Sequence, residues 1–390
     1  MIKHITIFTF ILIITGLYGQ KNAKSELIFP MQEQHVHSSS IVALPNGDLL
    51  TCWFQGSGER KANDVVINGS RLKKGQSEWS KPFLMADTPG QPDCNPILFL
   101  NDNDKLFLVW IVVQANRWET SVLKVKTTTD YLDGNAPNWK WQDVLLMKPG
   151  KEFEERVKEQ FEQYGRQDLV WAEYALPYEE MLIKAARDPK KRETGWMTRT
   201  HPIFLANGKI LLPLYSDGFN FGLIAISEDD GNTWKSSLPI VGRGLNQPSL
   251  IVRKDGSIDA YMRDDGDEPG RILISHSDDE GYSWTYGKKS EIPNPGASLE
   301  VIKLKSGKWL MAYNDVDDGR YSLAVAISDD EGKSWKWKKK LENVKNGEFH
   351  YPSVIQAKNG KIHITYTYRL SNSEKTIKHI SFEEEWIVGE

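Results

Sequence analysis

Three copies of one eight-residue pattern constrain the fold of this chain more than any other feature. They read SEDDGNTW from Ser227, SDDEGYSW from Ser277 and SDDEGKSW from Ser328, so successive copies begin 50 and 51 residues apart. Asp and Gly in the centre favour a tight turn, the flanking hydroxyls can bond its backbone, and the Trp can pack the turn onto a sheet. A period of this length corresponds to one supersecondary unit stacked on the next. The pattern therefore predicts a repeat protein built from β-sheets.

A second, longer repeat has the form of a strand, a turn at Gly or Asp, and another strand. It predicts six hairpins, at residues 38–54, 95–112, 201–215, 247–263, 298–314 and 351–369. Further strand-like segments follow the hairpins, and degenerate copies of the Trp-bearing turn occupy residues 75–79 and 133–139. Four strands per repeat with aromatic turn signals are typical of a β-propeller. The predicted fold is all-β, a six-bladed β-propeller.

The first 19 residues have the composition of a secretory signal peptide. Lys3 precedes an apolar run, Ile5 to Leu17, and small and polar residues follow it around Gly19. We therefore expect export to the periplasm or the medium, with residues 20–390 forming the propeller. No other stretch approaches the roughly 20 consecutive apolar residues that a membrane-spanning helix needs.

One region departs from the β pattern. Residues 151–164 and 177–187 are rich in helix formers, and proline and glycine punctuate their ends. This predicts a helical insertion at about residues 151–190, between the second and third blades. Insertions on a rigid scaffold often border a binding face, although such a segment can equally pack on the rim.

Charge and the spacing of possible metal ligands argue against several classes of partner. The chain has 49 Lys and Arg against 53 Asp and Glu, a net charge of −4, without a basic stripe of the kind that binds nucleic acid. Neither a nucleic-acid partner nor a cofactor is expected, and the protein is expected to be a monomer. His35 and His37 alternate on one strand but lack a third ligand at a recognisable spacing, so no metal is expected either.

Cys52 and Cys94 could pair in an oxidising compartment or remain buried thiols.

The repeated Asp-box turns and hairpins resemble those of the sialidase (neuraminidase) superfamily of six-bladed propellers, over nearly all of residues 20–390. This resemblance implies a central face with three arginines that bind a carboxylate, a Tyr nucleophile paired with a Glu, and an Asp acid/base. The Tyr nucleophile is a known exception to the two-carboxylate scheme of glycosidases. Asp boxes lie on outer turns and also occur in non-catalytic propellers, so the function must be inferred from the central face.

Several residues match that implied set. Arg320, eight residues before the last Asp box, matches the third arginine, and a guanidinium suits a carboxylate because it presents two parallel donors. Arg271 matches the second arginine, with Arg263 as a competing position. Tyr351 opens the sixth hairpin where the nucleophile is expected, and Tyr368 near the end of that hairpin is a further substrate-binding candidate.

Two other segments supply further candidates. Residues 58–64 resemble the family's stretch from a supporting Arg to the acid/base Asp. This makes Arg60 a candidate substrate-binding residue. Asp64 is either the acid/base or a turn-capping residue. At the opening of the third blade, Arg199 is a candidate substrate-binding residue, and His201 is a candidate catalytic residue for proton transfer.

The catalytic set also departs from the family pattern at two positions. Gln247 opens the fourth hairpin where the Glu that activates the tyrosine is expected, and an amide cannot take a proton. His37 occupies the place of the first arginine, ten residues before the turn glycine Gly47. Unlike Arg, His can deliver or remove a proton near neutral pH.

Arginines, histidines and a tyrosine without a clear carboxylate pair favour β-elimination at a uronic acid. That reaction needs a neutralised carboxylate, a base for the C5 proton and an acid for the group leaving C4. The expected function is thus an exported enzyme acting on an acidic sugar of polysaccharide-derived oligosaccharides, a dehydratase or a lyase at a terminal uronate. Two alternatives remain: an exo-sialidase or other exo-glycosidase that hydrolyses a terminal acidic sugar, and a non-catalytic glycan-binding propeller.

Overall fold

The structure is a computed structural model that describes residues 23–164 and 178–389. Within these residues the strands form six sheets whose neighbouring strands all pair antiparallel. The inner strands of successive sheets contact one another around a common centre. The predicted all-β fold and the six-bladed propeller are therefore confirmed. The predicted signal peptide lies outside the described residues.

The first three blades follow one another along the chain. A short strand, β1 (Lys24–Leu27), precedes them and belongs to the last blade. The first blade contains β2 (His35–Ala43), β3 (Leu49–Gly56), β4 (Val66–Leu72) and β5 (Phe83–Ala86). The second contains β6 (Asp93–Leu100), β7 (Leu106–Val113), β8 (Ser121–Thr128) and β9 (Trp141–Leu145). The third contains β10 (Met197–Thr198), β11 (Ile203–Phe204), β12 (Ile210–Ser216), β13 (Phe221–Ser227) and β14 (Lys235–Ser236).

The other three blades complete the ring. The fourth contains β15 (Leu245–Val252), β16 (Ile258–Asp264), β17 (Arg271–Ser277) and β18 (Lys288–Pro293). The fifth contains β19 (Glu300–Lys303), β20 (Trp309–Tyr313), β21 (Ser322–Ser328) and β22 (Trp337–Asn343). The sixth contains β23 (Glu348–Gln356), β24 (Ile362–Ser371) and β25 (Glu374–Phe382). Strand β1 pairs with β25, so the two ends of the described chain close the ring in one sheet.

Helices occupy little of the chain. In chain order, α1 (Glu152–Tyr164), α2 (Tyr178–Arg187) and α3 (Pro189–Arg192) follow β9 and precede β10, and α4 (Glu385–Val388) follows β25. The predicted helical region also includes residues 165–177, which lie outside the described residues. Helix α1 packs on the third blade, because the Phe153 ring lies 5.4 Å from that of Phe219 and the Phe161 ring 6.0 Å from that of Phe221. The helices thus adjoin the loop that joins β12 to β13.

The Asp-box turns have the hydrogen bonds that their sequence suggests. In the box from Ser277, Asp279 accepts bonds from the Ser283 amide at 2.8 Å and the Ser283 hydroxyl at 2.6 Å, and the Ser277 hydroxyl accepts from the Gly281 amide at 3.0 Å. Gly281 has a φ of +84°, and a Cβ there would lie 2.9 Å from Leu211 of the third blade. The glycine is therefore required both by the turn conformation and by close packing on the preceding blade.

Four inner strands share a feature that shapes the hub. Ser38, Asn95, Gln247 and Tyr351 each have a φ between +48° and +58°. The strand register shifts around each of them, which marks a β-bulge. A bulge redirects a side chain, and a positive φ at a non-glycine residue costs about 1–3 kcal/mol unless the surroundings impose it. Four blades thus repeat one strained conformation at the same place on the inner strand.

The two cysteines are free and buried in the interior of the first two blades. Of the two possibilities for Cys52 and Cys94, the structure therefore shows buried thiols, and burial raises the pKa of each thiol. Among the described residues, no helix is both long and apolar enough to span a membrane.

Candidate active site

A polar cavity of about 370 Å³ opens at the hub, on the face where the four bulges lie. This volume is at the small end of ligand pockets and fits one compact polar molecule better than a long chain. Three of the four bulge residues line it, together with side chains from the connecting loops. The lining residues are His37, Glu59, Asn95, Trp118, Tyr215, Asp217, Asn220, Asn246, Gln247, Arg263, Asp265 and Tyr351.

Tyr351 is the best-connected residue of the cavity wall. Its phenol oxygen accepts hydrogen bonds from Gln247 Nε2 at 3.0 Å and from Arg263 Nη1 at 2.8 Å. Because both partners donate, neither bond uses the phenol's own hydrogen, which can point into the cavity. Two N–H donors, one of them charged, stabilise an oxygen that develops negative charge.

Guanidinium groups surround the Tyr351 ring. The Arg199 guanidinium lies 4.8 Å from the ring centroid and that of Arg320 lies 5.7 Å from it. Arg199 is only 1% exposed and donates to the Pro352 carbonyl at 2.8 Å, whereas its Nε and Nη1 have no partner among the described residues. Arg320 donates to the Gly296 carbonyl at 2.8 Å.

The two other arginines of the site lie closer to the open cavity. Arg263 pairs with Asp265 at 2.6 Å in addition to its bond with Tyr351. The Arg60 guanidinium lies 5.2 Å from the centroid of the Trp118 ring, which lines the cavity. Four of the five sequence-predicted arginines therefore cluster at the hub.

His37 packs against Tyr351 in the cavity wall, with the two ring planes tilted by 50°. The two ring centroids are 4.1 Å apart, and His37 Nδ1 forms a 3.0 Å hydrogen bond with the Thr367 hydroxyl. Burial, with smaller contributions from His350, His35 and two arginines, holds the pKa of His37 well below its usual value. The imidazole is thus neutral at pH 7, and among the described residues only Nδ1 is hydrogen-bonded.

The cavity contains carboxylates that the sequence analysis did not identify. Glu59 lies in the loop between β3 and β4, and burial raises its pKa against the opposing effect of Arg60, Arg320 and Arg263. Asp217 follows β12 directly and remains accessible from the cavity. Desolvation by the surrounding walls raises the pKa of Asp217 to about 6. Both are therefore acids that can hold a proton near neutral pH more readily than an ordinary surface carboxyl.

A weak sequence signal for Asp217 existed. A carboxylate directly after a buried strand and before Gly218 lies at a loop entrance, which is a common place for functional side chains. Glu59, adjacent to Arg60, lay inside the segment already singled out. Asn246, Asn220 and Asp265 had no distinguishing pattern.

His201 lies away from the cavity and joins blades instead. Its backbone amide and Nδ1 contact Glu300 Oε1 at 2.8 and 2.9 Å, and its Nε2 contacts the Ile41 carbonyl at 2.9 Å. Glu300 is 2% exposed, and its other oxygen accepts from the Val354 amide at 2.6 Å. Both ring nitrogens of His201 are thus occupied by contacts between the first, third, fifth and sixth blades, which does not fit the predicted role in proton transfer.

Three further predicted site residues also lie outside the cavity lining. Asp64 accepts three hydrogen bonds from Ser57, so it closes the loop as a capping residue, and Glu59 is the carboxylate of that loop that lines the cavity. Arg271 pairs with the exposed Asp317 at 2.6 Å. Tyr368 packs on Phe349, with Lys378 4.6 Å from its ring centroid.

Among the described residues, the histidines do not form a metal site. No group of three or more His, Cys, Asp or Glu side chains in this part of the chain is arranged to hold a metal ion. His35, His37 and His350 lie near one another, with ring centroids of neighbouring pairs 5.9 and 4.9 Å apart. Cationic side chains surround them, and one carboxylate, Glu348, lies 3.8 Å from His350 Nε2.

A six-bladed propeller with Asp-box turns and a tyrosine among arginines at its hub is a fold of the sialidase type, and the solved relatives agree. The leech intramolecular trans-sialidase, solved with 2,7-anhydro-Neu5Ac, superposes with a TM-score of 0.69 at 13% identity, covering 94% of this chain and 71% of that one. A protein of unknown function from Dyadobacter fermentans superposes with a TM-score of 0.67 at 16% identity, covering 93% and 99%. At these identities the likeness concerns the fold.

Sequence comparison gives the family. The profile of the BNR repeat-like domain matches residues 47–198 and 191–364, so the chain belongs to this family and fits the sialidase superfamily. It is also 28% identical over 135 residues to a sialidase from Paraclostridium sordellii, which covers 30% of this chain and 32% of that protein. The match thus spans about a third of the length of that relative.

Proposed function

We propose that this chain is a carbohydrate-active enzyme that binds one acidic sugar in the hub cavity and acts on it by β-elimination at a uronate. The sugar is the non-reducing end, or the nearest internal uronate, of an oligosaccharide. The apolar segment Ile5–Leu17 supports action outside the cytoplasm.

The hydrogen bond between Gln247 and Tyr351 favours elimination over hydrolysis by a tyrosine nucleophile. A tyrosine that attacks an anomeric carbon needs a neighbouring base to take its proton. Here the neighbour is an amide, and the other partner, Arg263, is also a donor. The phenol is therefore suited to donating its proton to a leaving oxygen, because the resulting phenolate is held by two N–H groups.

His37 supplies the complementary base. Its imidazole is neutral because burial lowers its pKa, and it lines the cavity in contact with the Tyr351 ring. Thr367 fixes the ring through Nδ1, which leaves Nε2 to accept a proton. Acid and base thus flank one sugar-sized space, as proton abstraction and leaving-group protonation require.

The proposed elimination balances without a cofactor. Arg263 and Arg320 neutralise the substrate carboxylate, which makes the C5 proton more acidic. His37 Nε2 takes that proton, and the C5–H electron pair forms the C4–C5 double bond. The C4–O bond breaks with its electron pair on oxygen, and this oxygen takes the Tyr351 proton. The products are an unsaturated uronate and either water or the released sugar.

Hydrolysis of a terminal acidic sugar is the second candidate, and the cavity carboxyls favour it. Asp217, with a pKa of about 6, and Glu59 can each act as a general acid beside Tyr351. In that reaction one of these two groups, as the carboxylate, takes the phenol proton while Tyr351 attacks the anomeric carbon. The other, as the acid, protonates the leaving glycosidic oxygen, and water then displaces Tyr351, which regains its proton.

One assay distinguishes these reactions. The purified protein is incubated with glucuronate-terminated oligosaccharides and, separately, with a sialoside. Ultraviolet absorbance of the conjugated C4–C5 double bond reports elimination, and free sialic acid reports hydrolysis. We expect absorbance without release of sialic acid; the reverse result contradicts elimination, and neither product from any acidic oligosaccharide supports a binding protein.

Variants assign the roles. His37→Ala and Tyr351→Phe are each expected to lower turnover by about 10²–10⁴-fold, the usual contribution of a positioned acid or base. Asp217→Asn is expected to leave elimination largely intact but to slow hydrolysis. Tyr131→Phe is a matched control, since Tyr131 is equally buried and donates to the Asp104 carbonyl at 2.7 Å far from the hub. Wild-type activity in His37→Ala contradicts the proposed mechanism.

A further inference from the structure

A second cavity adjoins the hub cavity on the side of the helices. Its volume is about 460 Å³, and its walls come from the turn at 119–120, the segment 185–194 and the loop 216–219. Asp217 lines both cavities, and Trp118 of the hub cavity directly precedes the turn that lines the second one. The two cavities therefore border one another at Asp217, as subsites for neighbouring sugars of one oligosaccharide would.

The wall between the cavities is closely packed. A Cβ on Gly195 would lie 2.7 Å from the Glu119 carbonyl oxygen, and one on Gly218 would lie 3.4 Å from Glu119 Cβ. On the other side of the turn, the Asn116 side chain donates to the Arg60 carbonyl at 2.6 Å. The turn is thus held between the first and third blades, so the second cavity is part of the scaffold.

Two exposed lysines, Lys190 and Lys191 of α3, line this second cavity. Their backbone is fixed, because the Asp188 side chain accepts from the Lys190 amide at 3.0 Å. The buried Arg192 donates to the Pro149 carbonyl at 2.9 Å. Within the described part of the chain, neither ammonium group has an acidic partner. Two cations on a fixed backbone therefore face the cavity uncompensated.

The acidic groups of this cavity do not cancel those cations. Glu119 is already paired with Arg117. Asp217 belongs equally to the hub cavity, where the positive charge of Arg263 acts on it. An ammonium group binds sulfate and carboxylate as a compact point charge without a demand for planar geometry. The lysines thus suit an anionic substituent on a sugar whose position varies.

We propose that this second cavity, called the lysine cavity, binds the sugar next to the one in the hub cavity, and that Lys190 and Lys191 recognise a sulfate or carboxylate on it. The inference rests on the proposed function, since it extends the same oligosaccharide. It defines the substrate class as an oligosaccharide with anionic groups on two adjacent residues.

Calorimetric titration of the Tyr351→Phe protein tests this without turnover. The probes are methyl glucuronide, an unsulfated chondroitin tetrasaccharide and a sulfated one, each ending in glucuronate. We expect the sulfated tetrasaccharide to bind most tightly, and the added Lys190→Ala/Lys191→Ala pair to weaken it at least tenfold. Methyl glucuronide binding should be unchanged. Lys190→Arg/Lys191→Arg should retain most of the affinity, and Lys184→Ala, an exposed lysine of α2 outside the cavity, should have no effect.

The possible failures are distinguishable. Equal binding of sulfated and unsulfated tetrasaccharides, or no loss in the double alanine variant, overturns the lysine cavity while leaving the hub site intact. Methyl glucuronide and both tetrasaccharides all failing to bind overturns the proposed function and this inference together. A carboxylated tetrasaccharide that replaces the sulfated one with equal affinity identifies carboxylate as the recognised group.

Discussion

Replacing Glu300 by Gln tests whether His201 joins the blades at the hub or takes part in chemistry. Glu300 accepts from the His201 amide at 2.8 Å and the Val354 amide at 2.6 Å, and contacts His201 Nδ1 at 2.9 Å, while nearly excluded from solvent. In Glu300→Gln, one carboxylate oxygen becomes an NH₂ group that must face an N–H donor. The partly exposed His201 ring also loses its carboxylate partner.

The expected cost follows from these contacts. A buried hydrogen-bond donor that is left without its acceptor costs about 1–3 kcal/mol. With an unfolding entropy of roughly 2.1 cal/mol/K per residue, a chain of this size loses about 1–4 °C in Tm for that cost. The activity per folded molecule is expected to stay near the wild-type level, since neither His201 nor Glu300 lines the cavity.

The pH dependence supplies a second check. Burial acts to raise the pKa of Glu300, but His201 and the hydrogen bonds outweigh it, so the net pKa is lowered. A carboxyl with a lowered folded-state pKa contributes stability above its unfolded pKa, and this is lost as the pH falls through the folded value. The Tm gap between wild type and Glu300→Gln should therefore be widest at neutral pH and shrink in acid.

Differential scanning fluorimetry across pH measures that gap, with Glu228→Gln as control. Glu228 pairs with Lys209 and Lys235 at the exposed surface, where such pairs contribute about 0–1 kcal/mol. A Glu300→Gln protein with unchanged Tm but greatly reduced turnover would refute the structural role of His201 and restore it as a catalytic candidate.

Two other predictions concern the cavity and the outer turns. As the pH rises through about 6, Asp217 ionises and places a negative charge beside an anionic sugar, so the affinity for methyl glucuronide should fall. A screened repulsion of about 1 kcal/mol corresponds to a roughly fivefold increase in Kd. When Asp217→Asn is titrated in a Tyr351→Phe background, most of this pH-dependent loss of affinity should be absent. Asp279→Ala removes the bonds to Ser283 and should destabilise the fourth blade by about 1–3 kcal/mol with unchanged turnover, as measured by thermal unfolding and the elimination assay. A loss of activity without a loss of stability in that variant would contradict the purely structural role of the Asp box.

Part of the hub was accessible from sequence because each blade repeats a local pattern. The hairpins that begin at Gln247 and Tyr351 are equivalent in the repeat, and the structure gives both residues the same bulge and joins them by a hydrogen bond. His37, directly before the bulge in β2, and Arg263, opposite the bulge in the fourth blade, also line the cavity. Because the blades repeat, the place of a residue in one blade predicts the place of the equivalent residue in another blade before any contact is known.

The remaining site residues lie in connections that do not repeat. Glu59 and Asp217 come from loops of different length and sequence, so nothing in one blade indicates where the loop of another ends. Asp64 was the more conspicuous carboxylate of its loop, yet its hydrogen bonds to Ser57 direct it away from the cavity. His201 illustrates the same limit, because its role depends on Glu300, which lies 99 residues further along the chain.

The sequence by itself determined the number of blades, the Asp-box turns and the presence of a tyrosine facing an amide, because these depend on short patterns that recur at a fixed spacing. Only the tertiary structure decided which carboxylates share the cavity, that β1 closes the sixth blade, and that the lysines of α3 lie beside Asp217. Those features depend on the closure of the ring, which brings together loops that are far apart in the chain.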